Sequence, residues 1–293
     1  MTTAQNGSKT VLGIEQVPPR HWVGDGFPVR SMFSYDSAPF LSPFLLLDYA
    51  APAEFPAALA PRGVGEHPHR GFETVTIAYQ GEIEHRDSAG HKGRIGPGDV
   101  QWMTAASGIV HEEMHGREFT EKGGTLEMVQ LWVNLPAKFK KSPPGYQDVL
   151  GTRTPVVSLA GGAGTVRVIA GEFEKERGPA RTFTPIELWD MRLRAGKVAN
   201  LHVPAGQSTA LLVLRGGGRV NGSKSVDEGE LAVLDRDGET LSIEAGSDST
   251  ILLLSGKPID EPVVGYGPFV MSTEGEIRKA MEDYRSGRMG RLD

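Results

Sequence analysis

The stretch Gly65-Glu66-His67-Pro68-His69-Arg70-Gly71-Phe72-Glu73-Thr74 carries two histidines one residue apart. On an extended strand, residues i and i+2 point to the same face. His67 and His69 therefore aim both imidazoles into one space. Pro68 has no N–H for a ladder hydrogen bond, which places the segment at an edge or a strand start. Alone, the pair is equally compatible with surface or hydrogen-bonded histidines. Downstream, Gly108-Ile109-Val110-His111-Glu112-Glu113-Met114 repeats the spacing with a histidine and a carboxylate. If the two segments are neighbouring strands, His67, His69, His111 and Glu113 converge on one point. Three imidazoles and one carboxylate form a first-row transition-metal site by ligand type. Around a divalent ion they leave a net positive charge that attracts an anionic oxygen. An ion that prefers six donors keeps positions open.

Outward from these motifs the chain reads as β. Turn signals recur at Gly81, Gly90, Pro97-Gly98, Gly108, Gly196, Gly206, Gly216-Gly217-Gly218 and Gly229. Between turns lie short apolar and β-branched segments: 74–79, 98–103, 126–133, 165–169, 210–214, 230–234 and 250–254. Short strands between regular turns indicate an antiparallel sandwich or barrel. The halves also resemble each other. Gly81-Glu82-Ile83-Glu84, a loop, and Gly96-Pro97-Gly98-Asp99-Val100 have a counterpart in Gly217-Gly218-Arg219-Val220, a loop, and Asp227-Glu228-Gly229-Glu230-Leu231. We read two barrels of one design: residues 1–140 as the metal-binding barrel, 141–154 as a connector, and 155–293 as a metal-free barrel with a terminal helix. Ser272-Thr273-Glu274-Gly275-Glu276 offers that helix a cap. Ile277, Ala280, Met281 and Tyr284 give it a packing face, and Gly287 a stop.

Composition narrows the function. Asp and Glu number 37 against 31 Lys and Arg, a formal charge of −6. That balance lacks the basic stripe a nucleic-acid grip requires. With no cysteine, disulfides, Cys-bound zinc, iron–sulfur clusters and thiolate nucleophiles are excluded. No apolar run approaches the ~20 residues of a membrane span, and the first ten residues lack a secretory h-region. The expected location is the cytoplasm.

Seven of the eight histidines precede residue 116. His85 and His91 flank the polar Arg86-Asp87-Ser88-Ala89-Gly90 and are expected in an exposed loop. Gly116 follows His115 and removes it from the ligand set. His21 has no evident partner. Trp102 and Trp132 lie in apolar strands and are read as core, with a pocket wall as the alternative. The Gly216–Gly218 run has no helix after it and is a turn, not a phosphate loop.

Together these motifs resemble the pirin family of the cupin superfamily. The resemblance is carried by His67-Pro68-His69-Arg70-Gly71-Phe72-Glu73-Thr74, Pro97-Gly98-Asp99-Val100-Gln101-Trp102-Met103-Thr104-Ala105, His111-Glu112-Glu113-Met114, Gln130-Leu131-Trp132-Val133-Asn134-Leu135 and Gly267-Pro268-Phe269-Val270-Met271. It runs from Pro43-Phe44-Leu45-Leu46-Leu47-Asp48 to the terminal helix. It implies an all-β fold of two stacked cupin (double-stranded β-helix, jelly-roll) barrels, with metal in the first only. By position the ligands are His67, His69, His111 and Glu113. In most other cupins the glutamate after the His pair is a ligand, here Glu73. In pirins that role looks transferred to Glu113. The second half retains only His202, too few donors to hold an ion.

The resemblance further implies quercetin 2,3-dioxygenase chemistry: dioxygen opens the central flavonol ring and carbon monoxide leaves. The metal is expected to be Fe2+, with Zn, Mn, Ni and Cu open. Glu113 is expected to take the substrate's hydroxyl proton. The partners implied are a small aromatic or flavonol substrate and O2, with no direct nucleic acid and no membrane. The alternative is a non-enzymatic, iron-state-sensing pirin that binds a regulatory protein partner. A third class is a zinc or manganese cupin with isomerase or hydrolase chemistry.

Overall fold

The computed structural model describes residues 7–292. Its only α-helices among them are Arg117–Lys122 and Glu274–Arg285. Neither is long and apolar enough to cross a membrane. The remainder is β-strand, short 3-10 turns and loops, and the chain divides into two compact units.

The unit that holds the histidines pairs a seven-stranded with a four-stranded sheet. The larger sheet runs Gly145–Val149, Val100–Thr104, Phe72–Gln80, Gly124–Asn134, Phe44–Phe55, Phe27–Ser34, His21–Val23. The smaller runs Gly63–His69, Ile109–His115, Ile83–Asp87, Lys92–Ile95. Their pairings are antiparallel, so hairpins suffice to connect them. One end is closed by an apolar plug that includes Phe27, Val29, Ala50, Ala78, Ile83, Ile95 and Met128.

The other unit repeats the plan. Its seven-stranded sheet includes Ser208–Arg215, Ser249–Gly256 and Ile186–Leu193. Its four-stranded sheet includes Val198–His202, Thr240–Ala245 and Gly217–Val220. The hairpin Gly217–Val220/Lys224–Asp227 followed by Leu231–Leu234 matches Ile83–Asp87/Lys92–Ile95 followed by Val100–Thr104, so the internal repeat is structural. Here the packed faces are mostly apolar, with Val166, Val168, Met191, Leu211, Val213, Leu241, Ile243 and Leu253 in one cluster and a buried, hydrogen-bonded Gln207–Ser255–Thr209 group beyond it. His202 is exposed.

The expected domain boundaries need correction in three places. Strand Val11–Glu15 pairs with Leu231–Leu234 and so belongs to the second unit. The segment from Ile259 onward, terminal helix included, belongs to the first. Gly145–Val149, expected in a connector, is an edge strand paired with Val100–Thr104. The reason is hydrogen-bond satisfaction: an edge strand leaves a row of N–H and C=O groups open, and distant segments of the chain close it.

The terminal helix matches its sequence signals. Thr273 Oγ1 accepts from Glu276 N–H at 3.2 Å, and Glu276 Oε2 accepts from Ser272 N–H at 3.3 Å, one residue short of a full capping box. Ile277 and Ala280 are buried beside Val110, Phe269 and Met271. Gly287 follows its end at φ +76°. Arg70 pairs its backbone with the Phe269–Met271 strand. Its guanidinium reaches Asp283 on the helix at 2.8 Å. Lys140 Nζ, buried, donates to Gly71 O (2.7 Å), Asn134 Oδ1 (2.6 Å) and Val270 O (3.0 Å). Gly71 has φ +92°, and a Cβ there would stand 2.0 Å from Val270 O. The strand bearing the His pair is thus anchored to the last segment of the chain.

Candidate metal centre

The two histidine-bearing segments are neighbouring strands. Gly63–His69 pairs with Ile109–His115, with His67 directly opposite His111 and His69 opposite Ile109. Ring centroids lie 4.8 Å apart for His67–His69, 4.3 Å for His67–His111 and 4.9 Å for His69–His111. One nitrogen from each lies within 4.8 Å of the other two, a group able to hold a metal ion.

Hydrogen bonding indicates which nitrogens are available. His67 Nδ1 stands 2.8 Å from Gly65 O. A carbonyl only accepts, so Nδ1 carries the proton and Nε2 keeps its lone pair. His69 Nδ1 and both ring nitrogens of His111 are buried without a hydrogen-bond partner. Burying an unpartnered polar atom is costly, and a cation among the three rings would remove that cost. Burial also holds His69 and His111 neutral. Burial pushes His69 and His111 well below the ordinary histidine range. His67 reinforces the shift on both, and the Pro268 carbonyl opposes it at His69. Neutral imidazole is the metal-binding form. The donor set therefore fits a divalent transition metal.

Glu113 sits on the same strand as His111 but outside the three-imidazole group. Its carboxylate is held by the facing sheet. Gln130 Nε2 donates to Oε2 at 3.1 Å and Oε1 at 3.4 Å. The Thr76 hydroxyl lies 3.1 Å from Glu113 Oε1 and 2.9 Å from Gln130 Oε1, so its single proton serves one at a time. Burial raises the Glu113 carboxyl, while His67, Thr76 and Gln130 pull it down.

The register explains why these groups meet. Asp148, Gln101, Thr76, Gln130, Asp48 and Ser31 are paired neighbours across six successive strands. Side chains directly opposite share a face, so the row forms a polar belt on the inner side of the sheet. Two residues further along each strand, toward the histidines, the same face carries Tyr146, Met103, Thr74, Trp132 and Leu46. Two residues the other way it carries Ala78, Met128 and Ala50 of the apolar plug. The inner surface is thus layered: plug, polar belt, aromatic layer. On Gly124–Asn134 the inward Gln130 and Trp132 are only half-buried, whereas outward Leu131 and Val133 are buried. The Trp132 ring lies 5.3 Å from His69 and 4.3 Å from Phe72, so Trp132 packs on the core as expected while staying partly exposed beside the histidines. Trp102 is fully buried core.

Glu73 faces the other way. It is an odd number of residues from Thr76 on one strand, so it looks outward. It accepts from Thr104 Oγ1 at 2.7 Å. Burial pushes its carboxyl up to about 7, against the Thr104 hydroxyl and Trp102.

Two expectations about other histidines divide. His91 is half-exposed and pairs with Asp87 at 2.9 Å. His85 is not in an exposed loop. It is buried, directly opposite Glu113, and hydrogen-bonded to the Gln101 side chain. Burial pushes it down to about 4, although Asp148 and Asp87 act upward. The alternation Ile83, His85, Asp87 is the sequence signal for an inward face. His115 is buried among Phe27, Phe55 and Phe119, with Nε2 on the Gly26 carbonyl. Thr76 lies outside the quoted motifs, and Gln130 and Asp48 fall inside them with no role assigned.

Comparison with known proteins gives matches across most of the chain. Residues 26–133 match the family model described as Pirin, and residues 188–290 the Pirin C-terminal cupin domain. A Pseudomonas aeruginosa protein named "Putative quercetin 2,3-dioxygenase PA2418" is 59% identical, over 96% of this chain and 98% of its own. The crystal structure of a quercetin 2,3-dioxygenase from Acinetobacter baumannii superposes with TM-score 0.95 at 49% identity, covering 97% of this chain and 99% of that one. The bacterial pirin YhhW from Escherichia coli, in complex with nickel(II), shares the fold at TM-score 0.65 and 22% identity, over 84% of this chain and 99% of its own.

Proposed function

We propose, from the premise that this chain belongs to the pirin family, that its first barrel is a metal-dependent dioxygenase site that opens a flavonol such as quercetin. The observation that carries this is the cluster of three imidazoles, two of them with buried, unpartnered nitrogens, beside the half-buried Trp132 ring. His67, His69 and His111 would hold the ion, with Glu113 as the fourth protein donor. Ferrous iron is the metal proposed, because the chemistry consumes dioxygen and the set of imidazoles plus carboxylate suits it. When bound, the metal acidifies a coordinated hydroxyl and supplies a redox-active centre.

The residues then have separate tasks. Glu113 takes the proton of the flavonol 3-hydroxyl, a role suited to a carboxylate raised by burial. Gln130 and Thr76 hold that carboxylate toward the inner space. Half-buried Trp132, backed by the buried Phe72 ring, offers an apolar surface to a planar ring. Dioxygen is consumed, the central ring opens to an ester, and carbon monoxide leaves. The site's working partners are thus an aromatic substrate and O2. The test is anaerobic mixing of iron-loaded protein with quercetin. The absorption of quercetin should shift without turnover, and air should then start turnover. A metallated protein that consumes neither quercetin nor oxygen ends the proposal.

A further inference from the structure

We infer that Asp48 is a specificity-determining residue, the acceptor for hydroxyl groups on the part of the substrate that lies away from the metal; this deepens the flavonol reading above and rests on it. Asp48 stands in the polar belt, directly opposite Gln130, whose amide holds Glu113. Strands are ~5 Å apart, so Asp48 lies about one strand spacing beyond Gln130 and two beyond Thr76. A multi-ring phenolic with one hydroxyl at the histidines would meet Asp48 by extending along this row.

Its surroundings prepare it to receive a donor. Ser31 Oγ donates to Asp48 Oδ1 at 2.5 Å and fixes the carboxylate plane. Oδ2 has no hydrogen-bond partner among the described residues. The side chain is largely buried, which raises its pKa against the effects of Ser31 and His21. It keeps 9% exposure beside the half-buried Gln130, Leu46 and Ser31. A carboxylate oxygen with no protein donor, still open to the inner space, gains a charge-assisted bond from a phenolic O–H. Trp132 and Leu46, in the next row along the strands, present the apolar faces that a ring carrying such a hydroxyl needs. A site built to bond a hydroxyl discriminates against the analogue that lacks it, because its own polar group is then left unpaired. The mechanism proposed at the metal makes no use of Asp48.

The test compares two flavonols bound anaerobically to nickel-loaded full chain, by calorimetry and tryptophan fluorescence. Quercetin carries hydroxyls on its outer rings; 3-hydroxyflavone keeps only the metal-directed one. The wild type should prefer quercetin by about 10-fold or more. Asp48→Asn should lose most of that preference with unchanged affinity for nickel and for 3-hydroxyflavone. Ser31→Ala, which frees the carboxylate without removing it, should lose part. Equal binding of the two flavonols by the wild type, or full preference in Asp48→Asn, overturns the inference and leaves the flavonol reading standing. Binding of neither flavonol by metal-loaded wild type overturns that reading, and the role of Asp48 with it.

Discussion

Glu73 and Glu113, two buried carboxylates of one barrel, look in opposite directions. Glu113 reaches Thr76 on the inner face, and Glu73, on the same strand as Thr76, accepts from Thr104 on the outer face. Strand parity therefore separates two residues that a motif search treats as rivals.

The first prediction follows from that separation. Glu113→Ala should lower divalent-metal affinity by about 10- to 100-fold, the range typical of disturbed metal-site partners. Glu73→Ala should leave it unchanged. Metal content after dialysis, measured by elemental analysis, decides the matter; the opposite pattern moves the fourth donor to Glu73.

Stability should depend on pH through Glu73. Its folded-state value of about 7 lies above the ordinary 4.5. The folded state therefore binds the proton more tightly than the unfolded state between those values. The associated stability is fully present below pH 4.5 and is lost as pH rises through 7. The loss is at most about 3 kcal/mol. Glu73→Gln should remove that dependence and be more stable than wild type above pH 7. Urea unfolding at pH 5 and pH 8 measures both effects.

Metal should stabilise the fold by binding the native state alone. At a free concentration of 100 times Kd the gain is about 2.7 kcal/mol. A chelator should lower the Tm of metal-loaded wild type. It should leave His111→Ala unmoved, because that variant has lost one of three imidazoles. Thermal scans with and without chelator test this.

The anchoring of the His-pair strand should be measurable as well. Asp283 meets Arg70 at 2.8 Å, Lys279 at 3.0 Å and Arg288 at 2.6 Å, with its own side chain only 9% exposed. Asp283→Ala leaves Arg70 without its partner and should cost about 3 kcal/mol. Amide exchange in Glu274–Arg285 should speed up. Gly71→Ala should act from the other side, since it combines a φ of +92° with a Cβ 2.0 Å from Val270 O. Unchanged exchange in the helix for both variants would show that the anchor is not where the geometry puts it.

Much of this architecture is legible in the sequence because its signals are local. Alternating apolar residues between glycine turns mark the strands, and Thr273 with Glu276 marks the helix start. The i, i+2 spacing of His67, His69, His111 and Glu113 marks one inner face. The rest depends on register between distant strands. Nothing local says that Gln130 lies between Thr76 and Asp48, or that Glu113 crosses the barrel to meet it. His85 was hidden by a polar neighbourhood, although its alternation with Ile83 and Asp87 points inward. The pairing of Val11–Glu15 with Leu231–Leu234 has a sequence separation of more than two hundred residues, beyond any periodicity argument.

That exchange of end segments has a consequence for synthesis. The barrel whose histidines are translated first lacks its anchoring helix until the ribosome has passed through the other barrel. The other cannot close its sheet edge without a strand made before the histidine-bearing barrel, which must wait, unpaired, while that barrel is synthesised. A cut between the barrels would therefore not yield two independent proteins. It would leave each fragment holding a piece that the other requires.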